Sequence, residues 1–318
     1  MEQVFNDRLS IVVPCYNEEA VLPETIVRLG QVLESLIVKG KISKDSSLLF
    51  VNDGSRDKTW QIIKEYHLSN SFVKGLNLAG NVGHQNALMA GLMEVKDRAD
   101  MVVFIDADLQ DEVSVIEEMV NRYHEGFDIV YGVRNDRKTD SFLKKNTALA
   151  FYKLMSWLGV KTIYNHADYR LMSRRAVLQL SNYKERNLFL RGIVPLIGYD
   201  TTSVYYRRQE RFAGESKYPL SKMFNFAVDG ITSFSVRPLR LIASLGFLFL
   251  FCSLIAVCYT LHALICGKTV AGWASLMLSV WFLGSLVLIA IGIVGEYIGK
   301  IYLEVKERPR YNIKEFLS

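Results

Sequence analysis

Short apolar runs recur through the first part of the chain, at Leu9 to Val13, Leu48 to Val51, Val73 to Leu76, Met101 to Ile105 and Ile129 to Tyr131. Each is bounded by polar or turn-forming residues, the pattern of buried strands. Between them, Leu22 to Leu36, Thr59 to Leu68, Gln85 to Val95 and Val113 to Tyr123 place apolar residues three and four apart, as one face of a helix requires. Strand–helix alternation predicts an α/β domain with a mostly parallel sheet covered on both faces. Ligands of such sheets bind beyond the carboxyl ends of the strands.

The pattern changes after residue 240. Leu241 to Ile265 and Val270 to Gly295 hold no Asp, Glu, Lys or Arg, and each exceeds the roughly 20 residues that cross about 30 Å of hydrocarbon. With only a short turn containing Gly267 and Lys268 between them, they predict a transmembrane helical hairpin. Arg237 and Arg240 precede the first stretch and Lys300, Lys306, Arg308 and Arg310 follow the second, which places both ends in the cytoplasm by the positive-inside rule. Met1 to Arg8 is polar and the next apolar run is only strand-length, so no signal peptide is expected and the N-terminal domain is expected to stay cytosolic. Ser221 to Phe234 carries Met223, Phe224, Ala227, Val228, Ile231 and Phe234 at helical spacing. This predicts an amphipathic helix lying in the membrane interface. The expected domains are 1–217 (catalytic), 218–240 (juxtamembrane helix), 241–299 (two spans) and 300–318 (cytoplasmic tail).

The net charge of +5 over 318 residues is modest and gathers near the predicted spans. That suits anionic lipid head groups better than nucleic acid, for which no aromatic-basic readout motif is present. Three of the four cysteines, Cys252, Cys258 and Cys266, lie in or beside the first span and Cys15 stands alone, so neither a disulfide framework nor a zinc spacing is offered.

Three loops after predicted strands hold the candidate chemistry: Pro14-Cys15-Tyr16-Asn17-Glu18, Asn52-Asp53-Gly54-Ser55 and Asp106-Ala107-Asp108-Leu109-Gln110. No dinucleotide-type glycine loop follows the first strand and Gly54 has no P-loop lysine, which weighs against dehydrogenases and nucleoside triphosphatases. Asp106 and Asp108, with Gln110 beyond, offer hard oxygen ligands to a divalent cation whose other positions go to water and phosphate. Acidic residues also cap helices and close turns; the position at the fourth strand end favours the ligand role. Asp53 suits a nucleobase edge and Glu18 ribose hydroxyls, with a turn carboxylate or cap as the alternative for each. Ser55 and Asp57 read as capping residues for the helix from Thr59.

On these residues the chain resembles the family 2 glycosyltransferases of GT-A fold, in particular the polyprenyl-phosphate glycosyltransferases that include dolichyl-phosphate mannose synthase and bactoprenol glucosyltransferases. The resemblance runs along nearly the whole chain, through Val12 to Glu19, Val51 to Asp57, Asn81-Val82-Gly83-His84-Gln85, Asp106 to Asp111, Gly214-Glu215-Ser216-Lys217-Tyr218 and Gly295 to Tyr302.

It implies a nucleoside pocket lined by Pro14, Tyr16, Glu18 and Asp53, and Mg2+ or Mn2+ on the diphosphate held by Asp106, Asp108 and Gln110. Arg134 would face phosphates, and Arg211 and Lys217 would grip the diphosphate or the lipid phosphate. Asp168 and Arg170, in Asp168-Tyr169-Arg170, would orient the sugar or lipid phosphate; a buried ion pair that fixes a loop is the structural alternative. The implied reaction is inverting transfer of a hexose, with glucose from UDP-glucose first among the donors, to undecaprenyl phosphate. GlcNAc, mannose on GDP and modified sugars remain alternatives. The implied partners are a nucleotide diphosphate sugar, a polyprenyl phosphate and the membrane, with self-association through the membrane region.

Glu112-Val113 stands where the family commonly has prolines, and no Gln-x-x-Arg-Trp motif of processive synthases is present. Transfer to a lipid hydroxyl would instead need Asp106 or Asp111 as a base. A membrane-anchored nucleotide-sugar sensor is the non-enzymatic alternative, against which intact Asp106, Asp108, Arg134 and Lys217 count.

Overall fold

Strand β1 (Leu9–Cys15) and β2 (Ser47–Asn52) are buried at every position, which is why they read in the sequence as continuous apolar runs rather than alternating ones. The computed structural model describes residues 4–134, 166–186, 188–207, 235–266 and 272–318. The described residues form two compact units, one of residues up to Arg207 together with Arg308–Ser318, the other from Ser235 to Glu307.

In the first unit, the predicted helices and strands alternate as α1 (Leu22–Val38), α2 (Thr59–Ser69), β3 (Val73–Leu78), α3 (His84–Val95), β4 (Met101–Phe104), α4 (Val115–His124) and β5 (Ile129–Arg134). Beyond them come β6 (His166–Ser173), α5 (Arg174–Ser181), α6 (Leu190–Ile193), a 3-10 turn at Val194–Ile197, β7 (Thr201–Tyr206) and β8 (Ile313–Leu317). The sheet runs β7-β5-β6-β4-β1-β2-β3-β8. Pairings β4–β1, β1–β2, β2–β3 and β5–β7 are parallel, whereas β6 is antiparallel to β4 and β5 and β8 is antiparallel to β3. The sheet is therefore mostly parallel, as the sequence predicts.

One face carries the main core, in which Leu22, Ile26, Leu29 and Leu33 of α1 and Ile116 and Met119 of α4 meet Ile11, Val13, Phe50 and Val103 of the strands. Helix α3 covers β1 and β2 so closely that a Cβ on Gly91 would lie 2.5 Å from a Val12 methyl and 2.8 Å from a Val51 methyl. A larger residue there would push the helix off the sheet.

The segment 300–318, expected as a tail, contains β8 at its end. Glu315 of β8 accepts from Trp60 Nε1 at 3.3 Å and pairs with Lys64 at 2.8 Å, and Leu317 packs against the core. The strand covers what would otherwise be an open edge of β3.

The second unit contains α7 (Arg237–Ile265) and α8 (Trp273–Val305), the latter continuing well past the predicted end at Gly295. Phe249 meets Phe282 edge-on at 6.3 Å, and Tyr297 OH donates to Ser235 O at 2.5 Å. Contacts that advance along one helix as they retreat along the other make the pair antiparallel. Among the described residues, Phe282–Val305 is long and apolar enough to cross a membrane, with mean hydropathy 2.0. The amphipathic stretch Ser221 to Phe234 and the turn at Gly267 and Lys268 lie outside the described residues.

Candidate active site

Loops leaving the carboxyl ends of β1 and β2 interlock. Asn17, at φ +55°, donates its N–H to Ser55 Oγ at 3.0 Å and accepts the Arg56 N–H on Oδ1 at 2.9 Å. Glu18 N–H donates to Thr59 Oγ1 at 2.9 Å, and Asp57 accepts the N–H groups of Glu19 and Thr59. Burial works against the Asp57 charge, but its hydrogen bonds from Thr59 and Glu19 hold the carboxyl below its usual range. Asp57 thus serves the first N–H of α2 from one residue before the N-cap position Lys58, close to the capping role read from the sequence, whereas Ser55 accepts from Asn17 instead. Around this lattice Pro14 is buried, Tyr16 is exposed and Glu18 is half-buried.

Asp53 is 2 % exposed. Its carboxylate accepts Val82 N–H at 2.7 Å, Gly83 N–H at 3.0 Å and Asn81 Nδ2 at 3.0 Å. Burial pushes its carboxyl up, while the Val82 and Gly83 amides pull it back. Asp53 thus ties the end of β2 to the loop that opens α3. Gly54, at φ +63°, permits this approach, since a Cβ there would stand 2.5 Å from Asn81 N.

After β4 the chain turns sharply at Leu109, φ +56°. Thr25 Oγ1 of α1 donates to Ala107 O at 2.8 Å and Gln110 N–H donates to Asp108 Oδ1 at 3.2 Å, so Asp106, Asp108 and Gln110 share one anchored turn. Asp106 faces His84, the first residue of α3, at 3.5 Å, and His84 also stands 3.9 Å from Asp168 on β6. Burial, opposed by His84 and reinforced by Asp168, Asp111 and Asp108, pushes the Asp106 carboxyl up to about 6.

Asp168 receives a two-pronged pair from Arg191 of α6, Nε to Oδ1 at 3.0 Å and Nη2 to Oδ2 at 3.1 Å, and a longer bond from Arg170 at 3.5 Å. Burial opposes its charge, yet Arg191 above all, with His84 and Arg170, holds it well below the usual carboxylate range. Arg170 is fully enclosed and lies 5.2 Å over the Phe104 ring and 5.5 Å over the Tyr131 ring, its cross-strand neighbours. Burial pulls its guanidinium down to about 10. Among the described residues its Nε and Nη1 have no hydrogen-bond partner. Arg170 is therefore a buried support beneath Asp168 rather than a group lining an open surface.

Arg134, at the end of β5, binds Asp111 Oδ1 through Nη2 at 2.9 Å, and Tyr206 OH of β7 donates to the same oxygen at 2.5 Å. Burial works against the guanidinium charge, but Asp111 and Tyr206 hold it above its usual value. Tyr169 OH donates to Glu112 O at 3.2 Å and its ring meets Tyr206 edge-on. These bonds tie the turn after β4 to β5, β6 and β7.

The structure thus gathers Asp106, Asp108, Gln110, Arg134, Asp168 and Arg170 at one end of β4, β6 and β5, with Pro14, Tyr16, Glu18 and Asp53 at the same end of β1 and β2. Arg211 and Lys217 lie outside the described residues. Sequence reasoning did not single out His84, Arg191 or Tyr206, and it weighed Asp111 only as a base for a lipid-hydroxyl acceptor, not as the partner of Arg134. His84 and Asp111 sat within quoted motifs, whereas Arg191 and Tyr206 had no such signal. At the opposite end of the sheet is a separate depression lined by Asp7, Asp100, His124, Asp128, Arg174 and Arg175, whose charges pair with one another. Among the described residues no three His, Cys, Asp or Glu side chains converge as a complete metal cage.

The model of the glycosyl transferase family 2 matches residues 10–180, and that of the GtrB C-terminal hairpin matches residues 237–301. A Bacillus subtilis (strain 168) relative, the glycosyltransferase YkoT, is 56 % identical over 305 residues, covering 96 % of this chain and 90 % of its own. The bactoprenol glucosyl transferase of Shigella phage SfII is 42 % identical over 315 residues, covering 97 % and 98 %. Mannosyl-3-phosphoglycerate synthase from Rubrobacter xylanophilus shares the fold, with TM-score 0.50 at 16 % identity over 74 % of each chain. The chain belongs to glycosyl transferase family 2. It is a glycosyltransferase of GT-A fold, with a C-terminal hairpin of GtrB type that associates it with membranes.

Proposed function

We propose that the protein transfers one hexose, with glucose from UDP-glucose the first candidate, to the phosphate of a polyprenyl lipid such as undecaprenyl phosphate, with inversion at the anomeric carbon. The observation that carries the acceptor class is the likeness to bactoprenol glucosyl transferases along 97 % of the chain. On this reading the interlocked loops after β1 and β2 hold the nucleoside through Pro14, Tyr16, Glu18 and Asp53, and the turn after β4 holds the diphosphate.

The donor set of that turn fits a hard divalent cation, Mg2+ or Mn2+. Asp106 and Asp108 supply anionic oxygens and Gln110 a neutral one, and burial, with Asp168, Asp111 and Asp108 acting against His84, disfavours the Asp106 charge, a cost that such a cation offsets. When bound, the cation neutralises charge on the departing diphosphate. Arg134, fixed by Asp111 and Tyr206, adds a positioned positive charge to the same end of the sheet.

The acceptor needs little help from a base. A phosphate monoester has its second pKa near 6 and is mostly dianionic at neutral pH. Asp168, held ionised by Arg191, is a weak proton acceptor, which agrees with a role in orientation. Arg211 and Lys217 are assigned to lipid phosphate or diphosphate by the family resemblance. Purified full-length protein is expected to glycosylate undecaprenyl phosphate and to leave undecaprenol and diacylglycerol untouched. Efficient transfer to either alcohol would contradict the phosphate acceptor.

We read α7 and α8 as two membrane crossings with the catalytic unit in the cytoplasm. The return of the chain to the sheet as β8 supports this, because an even number of crossings brings a chain back to the side it left. A cysteine introduced at Lys268 should react with an impermeant reagent from the outer face only. Labelling from the cytoplasmic face alone would refute the topology.

A further inference from the structure

We infer that Arg191 is a phosphate-binding residue for the acceptor, aimed by Asp168 and supported from below by Arg170. The inference rests on the reading of the protein as a polyprenyl-phosphate glycosyltransferase and assigns that reaction a residue its sequence motifs did not mark.

Three observations carry it. The first is placement. In the order β2-β1-β4-β6, the nucleoside loops follow β2 and β1, the acidic turn follows β4, and Asp168 with its partners belongs to β6. A donor laid along that line has its base over β1 and β2 and its diphosphate at Asp106 and Asp108. The Asp168–Arg191 pair then stands beyond the diphosphate, where the hexose and the attacking group must lie. A hexose carries no charge; an acceptor phosphate carries nearly two.

The second is charge. Asp168 is paired with two guanidiniums, Arg170 and Arg191, so the trio keeps a net positive charge beside an acidic turn. Arg170 is enclosed, while Arg191 stays 34 % exposed, so of the two guanidiniums Arg191 is the one a ligand can reach. Arg134, another cation at this end of the sheet, is matched one to one with Asp111.

The third is preorganisation. Two parallel N–H···O bonds at 3.0 and 3.1 Å fix the plane of the Arg191 guanidinium, and Leu190 N–H on the same short helix donates to Gln85 Oε1 at 2.9 Å, tying α6 to α3. A cation whose orientation is set in advance loses little entropy when a phosphate oxygen arrives.

The test is steady-state kinetics of the full-length protein in detergent, varying polyprenyl phosphate and nucleotide sugar separately. Arg191→Ala should raise the acceptor KM about tenfold or more, the scale of a charged hydrogen bond. The nucleotide-sugar KM should stay within about twofold of wild type. Arg191→Gln, which can still hydrogen-bond Asp168 but is neutral, should behave like Arg191→Ala and decides the matter if the alanine variant does not fold. Arg191→Lys should recover part of the loss. An unchanged acceptor KM in the neutral variants, or an equal rise in both KM values, overturns the assignment while leaving the lipid-phosphate reaction intact. Failure of the wild type to use any polyprenyl phosphate overturns that reaction and this inference together.

Discussion

Asp108→Asn is expected to lower the rate of hexose transfer by on the order of 10²–10³-fold while the protein stays folded, because it removes one of two anionic oxygen donors at the turn after β4. Chelation with EDTA should silence the wild type to a similar degree, and Mg2+ or Mn2+ should restore the wild type but not the variant. Asp106→Asn should be equally inactive and at least as stable as wild type. The Asp106 carboxyl is pushed from 3.8 up to about 6 by burial and by Asp168, Asp111 and Asp108, so its ionised form is disfavoured in the metal-free fold. A raised carboxyl favours the fold fully below its unfolded value of 3.8 and loses that contribution as pH rises through about 6. An uncharged amide removes the repulsion at neutral pH, a trade of stability for activity common at active sites. Transfer rates, with melting curves on metal-free protein, check both variants; full activity of Asp108→Asn or of EDTA-treated wild type would remove the metal from the mechanism.

Replacing Asp53 should damage fold and donor binding together. Asp53→Ala leaves the half-buried Val82 and Gly83 amides and the exposed Asn81 side chain without their acceptor, at a cost of about 1–3 kcal/mol because solvent replaces part of these bonds. In a domain of this size that is a fall of roughly 3–10 °C in melting temperature. Asp53→Asn should be little better, because its amide nitrogen would confront groups that are themselves donors. Melting curves and calorimetric titration with nucleotide check this. Wild-type stability with weakened nucleotide binding would mean that Asp53 serves the base alone, and wild-type values for both would remove it from the site.

That double duty shows where the sequence was readable and where it was not. Strands β1 to β5 were legible because burial on both faces makes each a run of apolar residues. The interior of β6, in contrast, carries Asp168 and Arg170, and charges within a strand hide its pattern. Strand β8, Ile-Lys-Glu-Phe-Leu, is a short edge segment beyond the apolar hairpin, where nothing local marks it as a partner of β3. At the site, Asp106 and Asp108 were legible from their place after a strand, and Asp53 from its loop. The partners of Asp53 were not, since Val82 and Gly83 act through backbone amides that carry no side-chain signature. Arg191 was hidden for a related reason: its meaning comes from Asp168, 23 residues away in the chain, and only folding brings them together.

The central claim is single-hexose transfer to a lipid phosphate, and the mass of the lipid tests it most directly. Full-length protein incubated with undecaprenyl phosphate, Mg2+ and UDP-glucose, or a panel of other nucleotide hexoses, should yield a lipid heavier by one hexose residue and no more, with release of the nucleoside diphosphate. A lipid of unchanged mass with every donor, despite measurable nucleotide-sugar binding, or a ladder of added hexoses, would contradict it.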